Sequence, residues 1–302
     1  MYATVPSVDV VIVNWNSGEQ LRACLAALQK TQRCHFQLHH VCVVDNASTD
    51  DSISGIDRFD LPLSVIKNDS NRGFGAAVNQ AAINLTGDYL LLLNPDTKVF
   101  DNSLEIPVAY LEKPKNAKVG IVGIQNVDEN GVVMRTCARF PTPGRFVAKS
   151  LGLNRLFPAK RVGLFMTDWN HEVTRVVNHV MGSFFLVRRE LWKNLAGFDE
   201  RFFVYLEDVD FSKRARAAGC ITVFLSDAQV YHRGGGTSEQ VKAKRLFYSL
   251  RSTLYYAQKH FGVSGAWLVA AAVLMIEPWT RVAWSLAKMC PTEMLQTLQG
   301  YS

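Results

Sequence analysis

LLLLNPDT, at residues 90–97, is the stretch that decides the fold. Four consecutive leucines have no amphipathic period, so they predict a strand that is buried on both faces. Pro95 cannot continue a sheet ladder, so the chain turns there and brings Asp96 to the carboxyl edge of a central strand. Open α/β sheets bind ligands at that edge, where a carboxylate can hold a cation and, through it, a phosphate. Taken alone, these residues also fit a strand that ends in an ordinary turn.

The residues before this stretch predict alternating strands and helices. β-branched and apolar runs predict strands, and apolar residues at helical spacing predict helices between them. The predicted strands are 8–13, 40–44 and 63–66, and the predicted helices are 19–29 and 76–85. The order strand, helix, strand, strand, helix, strand predicts a doubly wound α/β fold.

The pattern after Asp96 is less regular. The predicted helices are 101–111, 189–196 and 208–218, and the predicted strands are 119–124, 222–225 and a strand pair or bent strand at 176–187. Residues 135–161 show no period and predict a long loop. A further loop is predicted to carry Tyr231, His232 and three glycines, and residues 239–302 are predicted to be helical.

Composition restricts the class of protein. With 302 residues, 48% hydrophobic and 20% charged, the chain is an ordinary globular protein, and its net charge of +6 suggests an anionic partner. Six scattered cysteines without a CxxC pair predict buried free thiols in a reducing compartment. The first residues lack a basic signal-peptide region, so we expect a cytoplasmic protein. The basic residues form no helix-face stripe and no stacking platform, which argues against nucleic-acid binding.

The C-terminal part leaves two alternatives open. Residues 262–276 are 15 mostly apolar residues, short of the ~20 that cross a bilayer. They fit either a helical hairpin packed on the domain or an amphipathic helix in the membrane interface, and Trp267, Trp279 and Trp284 beside basic residues favour the second. The basic residues of the predicted long loop fit either an anionic lipid surface or a solvated face: Arg135, Arg139, Arg145, Lys149, Arg155, Lys160 and Arg161.

Two candidate groups lie in the first half. Asp45 ends a predicted strand and is a suitable acceptor for a base N–H or a ribose hydroxyl, although it also fits an N-cap or an Asx turn. NRGFG, at residues 71–75, precedes a helix, where Gly73 and Gly75 permit close backbone approach and Arg72 can bind a phosphate.

A second acidic cluster lies in the other half. Glu207, Asp208 and Asp210 enter a helix after an aromatic run, where they either complement the helix dipole or supply a general base in an aromatic-walled cleft. His232 is either a metal ligand or a core histidine. Together with Asp96, these residues suggest metal-assisted displacement at a phosphate-bearing donor.

Seven stretches of the sequence resemble those of a known family. They are VVIVNWN, DNAS, NRGFGAAVN, LLLNPD, GSFFLVRRELW, GFDERFFVYLEDVDFSKRARAAG and YHRGGGTS. In this order, over about residues 6–240, the chain resembles the inverting family 2 glycosyltransferases of GT-A fold, in the branch of bacterial rhamnosyltransferases. The resemblance implies a Rossmann-like nucleotide-sugar half at 1–97, an acceptor half at 98–238, and a helical extension at 239–302.

The resemblance also implies residue roles. The catalytic base would be Asp208, with Glu207 beside it, and Asp96 and His232 would hold Mg²⁺ or Mn²⁺. Asn94 stands where the family's DxD-type motif carries its first acid. The nucleotide-sugar set would be Asn14, Asp45, Asn71, Arg72, Gly73, Gly75, Asn94 and Asp96, and the acceptor set Gly182, Ser183, Tyr205 and Glu207.

The activity implied is transfer of L-rhamnose from dTDP-β-L-rhamnose, with inversion, to a polyprenyl-diphosphate-linked or other lipid-linked saccharide in polysaccharide synthesis. The protein would then lie on the inner face of the cell membrane as a peripheral protein. A relative that uses UDP-galactofuranose or UDP-GlcNAc is the alternative within the enzyme class. A non-catalytic nucleotide-sugar-binding scaffold is the alternative outside it, although such a binder has no need of a base.

Overall fold

A computed structural model describes residues 5–157, 162–234, 242–288 and 291–301. Its strands, numbered in chain order, belong to a single sheet. They are β1 (Ser7–Asn14), β2 (Gln37–Asp45), β3 (Leu63–Lys67), β4 (Tyr89–Leu93), β5 (Thr97–Val99), β6 (Val119–Val127), β7 (Val133–Met134), β8 (Arg175–Val177), β9 (Phe184–Arg188) and β10 (Ile221–His232).

Helices cover both faces of the sheet and form the C-terminal extension. They are α1 (Glu19–Lys30), α2 (Phe74–Ala82), α3 (Asn102–Glu112), α4 (Pro143–Ser150), α5 (Leu153–Leu156), α6 (Arg189–Asn194), α7 (Glu207–Ala217), α8 (Lys242–His260), α9 (Gly262–Ala271), α10 (Glu277–Ala287) and α11 (Pro291–Tyr301). The helices predicted before residue 220 lie where expected, with small shifts at their ends, and residues 242–288 and 291–301 are mostly helical, as predicted.

The sheet joins two halves through one antiparallel strand. Its order is β3-β2-β1-β4-β9-β6-β10-β5, and β3, β2, β1 and β4 run parallel, which confirms the doubly wound first half. Strand β9 lies antiparallel between β4 and β6, and β10 runs parallel to β6. The carboxyl ends of β1, β2, β4, β6 and β10 therefore meet the amino end of β9 at one edge.

The leucine run of β4 is buried on both faces, as predicted. Leu91 and Leu93 pack into a core cluster on the side of α1 and α3, whereas Leu90 and Leu92 pack into a second cluster on the side of α2 and α7. A third cluster joins α4 and α7 to the extension through α8 and α9. The strand therefore fixes Asn94, Pro95 and Asp96 at the centre of the sheet edge.

Several expectations need correction. Residues 135–157 are not a continuous loop, because α4 and α5 lie within them, and the remaining positions through 161 lie outside the described residues. Strand β10 extends to His232, so Tyr231 and His232 lie on a strand rather than a loop. Strands β8 and β9 do not pair with each other: β8 pairs with β10, and β9 with β4 and β6.

The cysteine prediction holds in part. Cys24, Cys42 and Cys137 are buried free thiols, but Cys34 is exposed and Cys220 is half-buried. Cys34 lies in the connection between α1 and β2, where no element covers it. Cys290 lies outside the described residues.

The apolar stretch at residues 262–276 is part of a longer helix than its composition predicts. A π-helical turn at Ala272–Ile276 joins α9 to α10, which gives one helix over Gly262–Ala287 of 26 residues. By length and mean hydropathy, 1.4, this helix could cross a membrane, although 22% of its most apolar window is buried inside the protein.

Gly123 on β6 marks a close approach that the fold depends on. A Cβ atom there would lie 2.5 Å from Cβ of Val180, so Gly123→Ala should lower the free energy of unfolding by about 1–3 kcal/mol through overpacking. Urea unfolding measures the loss. Gly144→Ala is the matched control, because a Cβ there has nothing within 4 Å. Equal unfolding free energies for the two variants would contradict the packing described.

Candidate active site

Asn14 and Asp45 lie side by side at the carboxyl ends of β1 and β2. Both are buried, and Asn14 Nδ2 donates to Asp45 Oδ1 at 2.9 Å. The same amide nitrogen lies 3.1 Å from Ser48 Oγ and 2.8 Å from Ser52 Oγ. Asn14 therefore positions the Asp45 carboxyl and ties the following turn to the sheet edge.

Asn46 connects this turn to the loop at residues 71–75. Its side-chain oxygen accepts from the Arg72 N–H at 3.0 Å, and its Nδ2 donates to Asn71 Oδ1 at 3.0 Å and to the Gly73 carbonyl at 3.2 Å. The Arg72 side chain is exposed. The loop is thus held beside Asp45, with Arg72 directed to solvent.

Gly73 has no room for a side chain. Its φ is +84°, and a Cβ atom would lie 2.3 Å from the Phe203 carbonyl oxygen, which accepts from the Phe74 N–H at 2.7 Å. A Cβ at Gly75 would lie 3.8 Å from Cβ of Glu207. The glycines therefore let this loop pack on the chain that leads into α7.

Asp96 and His232 form a pair at the same edge. Asp96 Oδ1 lies 3.3 Å from His232 Nε2, and the two side chains are only 10% and 7% exposed. His232 is opposite Thr97 in the β5–β10 pairing, and the Arg233 N–H donates to the Asp96 carbonyl at 3.1 Å. The strand pairing therefore fixes both side chains.

Asn126 at the end of β6 supports this pair. Its Nδ2 lies 3.4 Å from His232 Nδ1 and 2.6 Å from Ser183 Oγ. An amide can present either its nitrogen or its oxygen. With the oxygen turned toward Nδ1, it would accept an Nδ1–H hydrogen and leave Nε2 free for a cation.

One carboxylate and one imidazole are a suitable but incomplete donor set for a divalent ion. No cluster of three or more His, Cys, Asp or Glu side chains that could hold a metal occurs in the described part of the chain. Mg²⁺ and Mn²⁺ commonly use few protein ligands and complete their shell with substrate phosphate oxygens and water. The Asp96–His232 pair fits such a shared site.

Glu207 and Asp208 begin α7 after two residues in a strained conformation. Tyr205 and Leu206 have φ of 69° and 70°, a region that non-glycine residues rarely adopt and that is frequent at functional sites. Asp208 Oδ1 accepts from the Val209 N–H at 2.8 Å, and a Cβ atom at Gly182 would lie 3.2 Å from Oδ2. The carboxylate thus lies against the turn that precedes β9.

The two neighbouring acids have opposite pKa shifts. Burial, and then the charge of Asp208, raise the pKa of Glu207 well above its ordinary value. Burial would also raise the pKa of Asp208, but the contact with His179, whose Nε2 lies 3.3 Å from Oδ2, and the backbone hydrogen bond from Val209 together offset burial and lower that pKa. Glu207 therefore holds its proton more tightly than Asp208 does.

The turn at Gly182 and Ser183 lies between the chain that carries Asp96 and the helix that carries Asp208. Gly182 contacts Asp208, while the Ser183 carbonyl accepts from the Asn94 N–H at 3.1 Å and Ser183 Oγ contacts Asn126. The structure thus brings the predicted residues of the two halves together at one edge.

Three polar residues near the site were not assigned from the sequence: Asn46, Asn126 and His179. Each is buried, with 2–4% of its surface exposed. Asn126 had a signal, because a polar residue ends the otherwise apolar run of β6. His179 lies outside any strand or helix, and its contact with α7 is not readable from spacing.

Comparison with known sequences identifies the family. The model of "Glycosyl transferase family 2" matches residues 9–195, more than half of the chain. The chain is 27% identical over 270 residues to the N-acetylglucosaminyl-diphospho-decaprenol L-rhamnosyltransferase of Mycobacterium tuberculosis, covering 84% of this chain and 85% of the relative. It is 26% identical over 170 residues to the rhamnosyltransferase WbbL of Escherichia coli, covering 56% of this chain and 61% of the relative.

Solved structures share the fold. A mannosyltransferase from Pyrobaculum calidifontis in complex with GDP-Man and Mn²⁺ has a TM-score of 0.57 at 18% identity, covering 98% of this chain and 85% of that one. TarS of S. aureus in complex with UDP-GlcNAc has a TM-score of 0.53 at 16% identity, covering 98% and 88%. These likenesses confirm the expected GT-A fold, and with the family match they identify the chain as a glycosyltransferase that belongs to family 2.

Proposed function

We propose that this enzyme transfers L-rhamnose from dTDP-β-L-rhamnose, with inversion, to a hydroxyl of a lipid-linked saccharide in cell-surface polysaccharide synthesis. The relatives named as rhamnosyltransferases support the sugar, and the mycobacterial relative, named for a decaprenol-linked N-acetylglucosamine, supports the class of acceptor. We assign the catalytic unit to residues 1–238, with nucleotide-sugar and acceptor halves at 1–97 and 98–238, and treat residues 239–302 as its extension.

The observation that carries the proposal is the arrangement around Gly182 and Ser183. Ser183 contacts Asn94, which precedes Asp96 by two residues, and Asn126, which lies beside His232, whereas a Cβ atom at Gly182 would lie 3.2 Å from Asp208 Oδ2. An inverting transfer needs a diphosphate-binding group and a base on opposite sides of the anomeric carbon. The turn between them is then the floor on which the sugar and the acceptor meet.

Asp96 and His232 would hold the divalent cation. When bound, such an ion neutralises the charge that develops on a nucleoside diphosphate leaving group. On the protein side, Asp45 would accept from the base or ribose, with Asn14 holding its carboxyl in place, and the exposed Arg72 would meet a phosphate. Asn71, Gly73, Gly75 and Asn94 would shape the walls of this nucleotide-sugar site.

Asp208 would take the proton of the acceptor hydroxyl as that oxygen attacks the anomeric carbon. A new C–O bond forms, the bond to the diphosphate breaks, and the proton stays on Asp208. Glu207, protonated and with Oε2 buried and unpartnered among the described atoms, would offer a hydrogen bond to the acceptor beside Tyr205. The split in pKa gives the two acids different tasks.

The extension supplies a surface suited to the membrane. Large apolar side chains of the 262–287 helix are exposed: Val263, Trp267, Leu268, Leu274, Met275, Trp279 and Leu286. A cavity of about 270 Å³ at this helix is lined by four cationic residues and one acid: Arg155, Lys242, Arg281, Lys288 and Glu293. An apolar face beside cations is typical of a helix in an anionic membrane interface.

The other face of this helix is seated on the protein. Glu277 is 2% exposed, pairs with Arg281 and accepts from Ser150 Oγ at 3.0 Å, and Thr280 Oγ1 donates to the Ser150 carbonyl at 2.6 Å. Crossing the bilayer would strip these polar contacts at a large energetic cost. The contacts support peripheral attachment at the inner face of the membrane rather than a span.

Asp208→Asn tests the base. We expect turnover to fall by about 10²–10⁴-fold while donor binding stays within about twofold, because the base acts on the acceptor and not on the nucleotide. Sugar release and transfer are measured with dTDP-rhamnose, UDP-galactofuranose and UDP-GlcNAc in the presence of Mg²⁺ or Mn²⁺. The control is Asp57→Asn, an exposed acid on a short 3₁₀ turn. Unchanged transfer in Asp208→Asn would contradict the assignment, and binding without transfer by the wild type would favour a scaffold.

Glu207→Gln tests the raised pKa of Glu207 itself. Because the raised pKa makes the folded protein hold the Glu207 proton more tightly than the unfolded chain, which releases it near pH ~4.3, the wild type should lose stability as pH rises above that value. The variant should lack this loss, which is at most about 1.4 kcal/mol per pH unit. Urea unfolding at several pH values measures both. In an Asp208→Asn background the difference should shrink; parallel stability curves for wild type and Glu207→Gln would refute a raised pKa.

Glutamate substitutions on the apolar face test membrane attachment. Trp267, Met275 and Trp279 are 70–74% exposed, so replacing all three should leave the fold intact and reduce binding to anionic vesicles at least tenfold. The physical reason is the loss of roughly 1.5–3 kcal/mol per large apolar side chain that the membrane buries. Ile83→Glu, at a position 77% exposed next to α2, is the control. Undiminished vesicle sedimentation of the triple variant would rule out this surface.

A further inference from the structure

His179 lies against α7, the helix that carries Asp208, although it is distant in sequence from both Asp96 and Asp208. It follows β8, and its carbonyl accepts from the Ala138 N–H at 3.0 Å, which fixes its backbone. The residue is 4% exposed and lies beside the Phe185 ring. The imidazole is therefore held in one place by the second half of the sheet.

The imidazole spans one turn of α7. Its Nε2 lies 3.3 Å from Asp208 Oδ2, and its Nδ1 lies 3.0 Å from Ser212 Oγ. An ionised carboxylate can only accept a hydrogen, whereas a serine hydroxyl can donate one. In a neutral imidazole, this arrangement places the Ser212 hydrogen on the bond to Nδ1 and the imidazole hydrogen on Nε2, which faces Asp208.

The contact separates Asp208 from its neighbour. Glu207 and Asp208 are consecutive, and both are buried at the start of α7. Of these two acids, only Asp208 has an imidazole at ion-pair distance among the described residues. A Cβ atom at Gly182 would lie 3.2 Å from the same oxygen of Asp208. His179 is thus the group that distinguishes the two acids.

We propose that His179 is a positioning residue, which keeps Asp208 ionised and directs its carboxylate at the acceptor hydroxyl. This inference rests on the proposed function. His179 neither gives nor takes a proton in the transfer: the acceptor proton moves to Asp208, and the imidazole keeps its hydrogen on Nε2. Ser212 sets that tautomer by donating to Nδ1.

Two substitutions separate the roles of the ring nitrogens. The amide of Gln reaches the position of Nε2, whereas the amide of Asn reaches only that of Nδ1. His179→Asn should lower kcat by about 10- to 100-fold, the usual range for loss of a residue that orients a reacting group, with KM for the donor changed less than twofold. His179→Gln should recover most of the lost kcat. A merely structural histidine would show no such order.

His39 provides the matched control. Its Nδ1 lies 2.7 Å from Asp9 Oδ1 near the opposite end of β1, away from Asp96 and Asp208. There His39→Gln removes the contact at Nδ1, whereas His39→Asn can keep it, so any order of the two variants should be the reverse of that at His179. Neither should change kcat by more than about twofold.

A spectroscopic readout is independent of turnover. In long-range ¹H–¹⁵N spectra of the wild-type protein, we expect one imidazole with a protonated Nε2 and an unprotonated Nδ1, and a changed Nε2 signal in Asp208→Asn. Transfer activity with wild-type kcat in His179→Asn would overturn the positioning role and leave the proposed function standing. An Nδ1-protonated tautomer would also overturn it. If the wild type transfers no sugar, the proposed function fails, and the positioning role fails with it even where the spectra show the pair.

Discussion

The hydrogen bond from the Asn94 N–H to the Ser183 carbonyl, 3.1 Å long, is the contact on which the active site depends. It extends the pairing of Leu93 with Phe184 by one step beyond the end of β4, so the turn before β9 lies beside Asp96. Without an antiparallel β9 between β4 and β6, the two halves of the sheet would meet elsewhere. The same topology that joins the halves therefore sets the separation between the Asp96–His232 pair and Asp208, the proposed base.

Electrostatic asymmetry at the start of α7 follows from that geometry. A dry environment raises the pKa of any carboxyl, and it does so for Glu207. Asp208 escapes because it projects toward the strand side, where His179 offers its Nε2. Two acids of adjacent sequence thus have opposite pKa shifts because they face different elements. A protonated acid and an ionised one in the same cleft are suited to binding an acceptor and activating it.

The sequence predicts what depends on local pattern. Apolar runs locate the buried strands, and polar residues that end them, such as Asp96, mark the ligand edge because a parallel sheet collects strand ends there. Non-local packing is not readable in this way. The sequence pattern does not predict helix α4, because Phe146 is buried there by contacts with Tyr256 and Phe261, which are distant in sequence. The contact of His179 with Asp208 likewise requires β8 and α7 to be placed first.

The C-terminal extension helps to fix α7, the helix that carries Asp208, the proposed base. Asp210 is fully buried on α7, two residues after Asp208. It accepts from Arg214 Nε at 2.8 Å, and it lies 2.8 Å from Lys259 Nζ and 2.7 Å from His260 Nε2. Burial works against its charge, but the hydrogen bonds from His260 and Lys259 and the charge and hydrogen bond of Arg214 outweigh burial and lower the pKa of Asp210. A buried carboxylate with such partners is costly to separate from them. Because α8 supplies two of the partners and leads directly into the apolar helix, the base and the proposed membrane face lie on elements that are clamped together. An acceptor anchored in lipid would then meet Asp208 at a fixed height above the membrane.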